Sequence, residues 1–145
     1  AWTLSPEEII KKYENRTPPL KARLSSMMHA IEKGWPVRIC LEPIIRTANW
    51  QDIYFPFIDE VFTTLPSSKI IDVNIGMFRM NREYFKKIQK SRDDTDLFSY
   101  PMDCRDGIIT YTREQENEMT QALFERVSLY YPRERIYLER EREIR

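Results

Sequence analysis

The sequence predicts an α/β fold built on a parallel sheet, and three observations predict it. A short β-branched and apolar run, Val37–Leu41, is bounded by Gly34 and Pro36 before it and by Glu42 and Pro43 after it. An apolar stripe at helical spacing, Leu20, Leu24, Met27, Met28 and Ile31, leads directly into that run. Strand-like and helix-like stretches then alternate across residues 1–76 in the order β-α-β-α-β, for which right-handed crossovers are expected.

Taken in order, Ala1–Leu4 reads as the end of a strand. Ser5-Pro6-Glu7-Glu8 is a helix start, with Ser5 as the cap, Pro6 in the first turn and Glu8 closing a capping box. That helix runs to Tyr13 or Glu14, and Asn15–Pro19 is a loop. The Leu20–Ile31 stripe is core filler and ends at Gly34, a C-terminal cap glycine. Pro43 lacks a backbone donor and closes the Val37–Leu41 strand. Asn49 caps a helix from Trp50 whose apolar face is Trp50, Ile53, Tyr54, Phe57, Ile58, Val61, Phe62 and Leu65, with a kink expected at Pro56. Lys69–Ile75 is the third strand, ending at Asn74 or Gly76.

The pattern then changes, which divides the chain into a β-α-β-α-β portion, 1–76, and an α+β extension, 77–145. Asn81–Lys90 is a short helix with Tyr84, Phe85 and Ile88 on one side. Ser91–Asp96 is polar and reads as mobile. Arg105-Asp106-Gly107 marks a tight hairpin turn before an extended Ile108–Tyr111. Thr112 to Gln115 is a second capping box, opening a helix Arg113–Tyr131 that Pro132 stops. Ile136–Leu138 is a last short strand, and Glu139–Arg145 a solvated tail.

Composition narrows the function classes. A chain of 145 residues suits one domain with a real core. Its 23 basic and 23 acidic residues give a formal net charge of zero, so no global field argues for nucleic acid, a membrane surface or an acidic substrate. No apolar stretch is long enough to span a membrane, and no signal peptide is visible. Cys40 and Cys104 lie far apart, with no CxxC and a single histidine, His29, so this chain builds no metal site alone. Cys40 reads as a buried small hydrophobe, and this cysteine usage fits a reducing cytoplasm. The chain opens on apolar Ala1 and Trp2 without an initiator methionine and reads as a segment of a longer protein.

No catalytic constellation is complete. Thr3 with Ser5, Glu42 and Asn74 are the polar residues expected to converge at the carboxyl ends of the strands, where ligands of α/β sheets bind. Glu42 reads equally as a residue delivered to that site or as a solvated strand end. Arg79, Arg82, Lys86, Lys87, Lys90 and Arg92 are the one local excess of positive charge. With Phe78, Tyr84 and Phe98 nearby they read as a phosphate and base patch, or as an ordinary solvated helix face.

The ordered set Thr3-Leu4-Ser5-Pro6-Glu7-Glu8, Glu14-Asn15-Arg16-Thr17-Pro18, Arg23-Leu24, Lys33-Gly34, Trp35-Pro36 and Glu42-Pro43-Ile44-Ile45 resembles the C-terminal half of spore photoproduct lyase and its wider radical S-adenosylmethionine (AdoMet), DNA-repair-photolyase-like family. The resemblance implies the C-terminal part of a partial (β/α)6 barrel carrying the family's C-terminal extension. In that family a CxxxCxxC loop in the N-terminal half holds a [4Fe–4S] cluster that cleaves AdoMet. The resulting 5′-deoxyadenosyl radical abstracts hydrogen from a thymine dimer in UV-damaged DNA. No CxxxCxxC occurs here, so the implied carbon–carbon lyase activity belongs to the intact chain and the segment alone is inactive.

Carried over residue by residue, the resemblance implies that Thr3 and Glu42 shape the AdoMet pocket. Arg105 and Gly107 match a hairpin that these lyases wedge into DNA, and Arg82, Lys86 and Lys87 would face the same partner. Asp106 stands where the lyases carry a tyrosine, which favours a relative acting on another substrate. A non-enzymatic nucleic-acid-binding module is the remaining alternative. The implied partners are damaged DNA and the N-terminal half of the same barrel. The open edge of the first strand predicts pairing between two copies of the segment.

Overall fold

The computed structural model describes residues 1–92 and 96–139. In chain order its elements are strand β1 (Trp2–Leu4), helices α1 (Glu7–Tyr13) and α2 (Leu20–Glu32), strand β2 (Val37–Ile44), helix α3 (Trp50–Thr64) and strand β3 (Ile70–Met77). Strand β4 (Arg79–Asn81), helix α4 (Arg82–Ser91), strands β5 (Met102–Arg105) and β6 (Ile108–Tyr111), helix α5 (Arg113–Ser128) and strand β7 (Ile136–Leu138) follow. Strands β1, β2, β3 and β7 form one sheet in that order, with every pair parallel. The expected α/β class is therefore correct. Strands β4, β6 and β5 make a second, antiparallel sheet inserted between β3 and α5. The last strand, in the residues that the sequence sets apart as an extension, joins the main sheet beside β3.

Register sorts the side chains. Trp2, Ile39, Val73 and Ile136 stand opposite one another across the parallel strands, as do Leu4, Leu41, Ile75 and Leu138. These rows join the helices in one core, with Ile39 and Val73 fully buried. The row between them is Thr3, Cys40, Asn74 and Tyr137, which alternation turns to the opposite face. Arg38 and Asp72, 3.3 Å apart, lie on that same face. Cys40 is thus half-buried on the polar face rather than in the core, because its place in the alternation opposes Ile39 and Leu41.

Helix α3 buries all seven of its expected apolar residues, and Leu65 just beyond it. Pro56 sits inside the helix on its exposed side. Two caps differ from expectation. Ser5 does not cap α1, because Pro6 is extended and takes the N-cap position, leaving Ser5 one residue too far from the first turn. Asn49 holds the N-cap position of α3 without a side-chain hydrogen bond to the helix. A cap the sequence does not announce is supplied across helices, where the Leu20 N–H at the start of α2 donates to Glu7 Oε2 at 2.9 Å. Strand β2 also continues through Glu42 and Pro43 to Ile44. A register break between Leu41 and Ile44 leaves Pro43 outside the paired positions, so its missing donor is tolerated there. The Glu42–Pro43 peptide is cis.

The Glu14-Asn15-Arg16-Thr17-Pro18 and Arg23-Leu24 stretches meet at one guanidinium. Arg23 donates from Nε to the Pro18 carbonyl at 2.9 Å, from Nη1 to the Thr3 carbonyl at 3.2 Å, and from Nη2 to Glu14 Oε2 and to Thr17 Oγ1. The side chain is 10% exposed. A planar donor fork is required, since an ammonium cannot reach four separated acceptors. Removing one partner of a largely buried pair leaves the other charge uncompensated. Arg23→Ala is expected to destabilise the protein by about 3 kcal/mol, and Arg23→Lys to recover less than half of that, as read from urea unfolding midpoints.

Candidate functional site

The polar face becomes a site at the carboxyl ends of β2, β3 and β7. Glu42 lies near the end of β2 and accepts a hydrogen bond at Oε2 from Asn74 Nδ2 at 3.2 Å. Asn74 is buried at 4% exposure, and its Oδ1 has no partner in the structure. Glu139 arrives from the end of β7 and pairs with Arg79 at 3.2 Å. Gly76 stands among these groups. A Cβ there would lie 2.7 Å from Glu139 Oε2, 2.9 Å from Glu42 Oε2 and 3.2 Å from Glu42 Cβ. The absent side chain at Gly76 leaves room for both carboxylates to close over the strand end, and a Cβ there would displace them.

Of the four residues expected to converge, Glu42 and Asn74 are in direct contact. Thr3 shares the row of Cys40 and Asn74, two strands away from Asn74 at the sheet edge, and is exposed. Ser5 lies just past β1, at 2% exposure, with its Oγ unpartnered. Glu139 was not expected here, because an alternating-sign tail carries no signal of a strand end that returns to the sheet. Of that tail, residues 140–145 lie outside the described residues, as do 93–95 of the polar stretch between Ser91 and Asp96.

The loop after Glu42 is held by two tyrosine hydroxyls. Tyr54 accepts from the Ile45 N–H, and Tyr111 accepts from the Arg46 N–H, each at 2.8 Å. Burial raises both hydroxyls, and pushes Tyr111 up to about 12, so they remain neutral and able to accept at physiological pH.

A second polar region is the inserted module. Asp106 and Gly107 both have positive φ, 50° and 76°, which makes the β5–β6 connection a tight turn of the expected kind. Its tip is fastened to α4, since the Arg82 N–H donates to the Gly107 carbonyl at 2.9 Å. Asn81 caps α4 by accepting from the Glu83 and Tyr84 N–H groups. No α4 residue is fully buried, and Tyr84 is exposed rather than packed beside Phe85 and Ile88. Arg82, Lys86 and Lys90 recur every fourth residue and share one exposed side. Like charges at that spacing oppose helix formation, so the stripe is not explained by the helix's own stability. Arg105 does not join it. Its Nη2 lies 2.8 Å from Glu116 Oε2 and donates to the Tyr111 carbonyl at 2.9 Å.

Neither cysteine fits a cluster. Cys40 and Cys104 stand in different sheets, and among the described residues no three His, Cys, Asp or Glu side chains are grouped to hold a metal. Among the same residues no helix is long and apolar enough to cross a membrane.

These features define an α/β protein with polar side chains gathered at the carboxyl ends of a parallel sheet and, inserted beside it, a hairpin-and-helix module whose helix carries a cationic side. The chain belongs to the spore photoproduct lyase family, whose family model matches residues 2–138. Spore photoproduct lyase of Bacillus subtilis (strain 168) is 20% identical over 144 residues, which cover 93% of this chain and 42% of that protein. A structure of spore photoproduct lyase complexed with dinucleoside spore photoproduct superimposes with a TM-score of 0.76 at 18% identity, over 94% of this chain and 42% of that one. A mutant with bound AdoMet and the same dinucleoside gives a TM-score of 0.75 at 18% identity over the same shares. The chain therefore spans well under half the length of the relatives it matches.

Because the Ser5 hydroxyl is buried without a hydrogen bond, deleting it removes no interaction in the unliganded protein. Ser5→Ala is expected to change unfolding stability by less than about 0.5 kcal/mol, or to raise it. A loss above about 1 kcal/mol would show that the hydroxyl has a protein partner.

Proposed function

We propose that this chain supplies the C-terminal part of a partial (β/α)6 barrel in a radical AdoMet enzyme that repairs spore photoproduct in DNA. The polar face lines the AdoMet pocket and the inserted module meets the damaged duplex. The observation that carries this reading is the Glu42–Asn74 pair closing over Gly76 at the carboxyl end of a parallel sheet, in a chain of this family. The groups present fit the cofactor. Glu42 and the unpartnered Asn74 Oδ1 are acceptors suited to its hydroxyl and ammonium donors, and Thr3 adds a hydroxyl at the open edge. The sequence holds no CxxxCxxC, and among the described residues no group of His, Cys, Asp or Glu could hold a metal, so the [4Fe–4S] ligands would come from the N-terminal half, which would also cover the polar face and the edge of β1. Binding and orientation are this chain's own contribution.

Duplex contact falls to the α4 stripe, Arg82, Lys86 and Lys87 with Lys90, and to the Asp106-Gly107 turn fastened beside it. An acidic side chain at that tip repels phosphate and cannot stack, which favours a relative reading a different lesion or substrate as the second reading. The direct test is on the full-length protein, reconstituted anaerobically with iron and sulfide. The expected result is a reducible cluster whose paramagnetic-resonance signal changes when AdoMet is added, and conversion of spore photoproduct into two adjacent thymines that remain in the DNA strand. A cluster that responds to AdoMet without repair would leave the second reading, and no cluster would reject both.

A further inference from the structure

We propose that Arg105 and Glu116 form an internal brace that sets the hairpin, and the α4 stripe joined to its tip, against α5, and that Arg105 makes no phosphate contact of its own. Glu116 belongs to the first turn of α5 and is 5% exposed. A carboxylate that deep needs a partner, and the Arg105 guanidinium supplies it at 2.8 Å. The same nitrogen donates to the Tyr111 carbonyl at the end of β6, tying the two hairpin strands to each other as well as to α5. On the other side of Glu116, Thr110 Oγ1 lies 2.9 Å from Oε1 and 2.9 Å from the Phe78 carbonyl, which extends the connection to the segment joining β3 to β4. Arg105 Nε is also buried, with no acceptor in the structure. The side chain keeps 32% of its surface exposed, but the acceptors its guanidinium meets, Glu116 and the Tyr111 carbonyl, are internal. Reaching a phosphate would mean breaking the contacts to Glu116 and the Tyr111 carbonyl and removing a charge-assisted partner from a buried carboxylate, which opposes the movement.

The hairpin is thus fastened at its tip to α4 through the Arg82 N–H, and to α5 through the Arg105 side chain, which starts beside the turn and reaches Glu116 and the Tyr111 carbonyl at the far end of β6. The brace fixes the hairpin against α5, and the Arg82–Gly107 hydrogen bond carries that placement to the α4 stripe. Its assignment to DNA positioning rests on the reading above, but its structural half does not.

The experiment uses the full-length protein with a fluorescent undamaged duplex of about 20 base pairs, long enough to cover the site. Binding is measured from low to moderate salt, and amide hydrogen exchange is followed across β5 and β6. Arg105→Gln is expected to weaken binding by a similar factor at every salt concentration, with the slope of log K against log salt unchanged. Lys86→Gln is expected to reduce that slope by about 1. Exchange in β6 is expected to quicken about tenfold in both Arg105→Gln and Glu116→Gln, as fits one lost charge-assisted hydrogen bond. Arg105→Lys should restore part of that protection. A slope reduced by about 1 in Arg105→Gln, with exchange unchanged, would overturn the proposal. If the wild-type protein bound no duplex, the DNA reading would fail while exchange still decided the brace: quickened in both variants it stands, unchanged it falls.

Discussion

Strand register in the parallel sheet is the constraint on which the rest of this structure depends. Successive side chains point to opposite faces, and parallel neighbours keep each row aligned. One residue of slip would carry Ile39, Leu41, Val73 and Ile75 out of the core and bring Cys40 and Asn74 into it. The apolar rows are held by helices on one side, so the polar row must stand on the other. The Glu42–Asn74 contact is the continuation of that row to the strand ends, and needs no separate device to place it. Local fastenings then protect the arrangement. Arg23 ties the first loop to β1, and the Tyr54 and Tyr111 hydroxyls hold the backbone immediately after Glu42.

Much of this was legible in the residues. The helices and parallel strands follow from strong apolar periods, and the Asp106-Gly107 turn from residues that accept positive φ. The continuation of β2 past Pro43 was hidden, because a bulge removes the objection that proline raises against a ladder. Ser5 mimics a cap in sequence, but an extended Pro6 displaces it, and the effective cap of α2 comes from Glu7, thirteen residues away. Glu139 and Glu116 were unreadable for a similar reason. Each acquires its environment from a partner distant in sequence, Arg79 for one and Arg105 for the other, and a charged residue in a charged stretch carries no period that marks it as buried.

The inserted module explains the Asp106 departure from the resemblance in conformational terms. Both central residues of the turn have positive φ, which aspartate tolerates better than a bulky aromatic residue. Asp106 therefore suits the turn while altering what the tip presents. The tip and the α4 stripe are joined through a backbone hydrogen bond, so a change of chemistry at the tip leaves the cationic surface where it is. Affinity for a duplex and selectivity for a lesion can in this way be carried by different residues of one small unit.

The proposed place of Glu42 as an acceptor in the AdoMet pocket is open to calorimetric titration of AdoMet into the reconstituted full-length protein. Glu42→Gln preserves size and the contact with Asn74 while removing the charge. The account predicts that AdoMet affinity falls by about tenfold or more, as expected for a charge-assisted hydrogen bond replaced by a neutral one. Unchanged affinity in a folded variant would contradict it and return Glu42 to a purely structural role at the end of the strand.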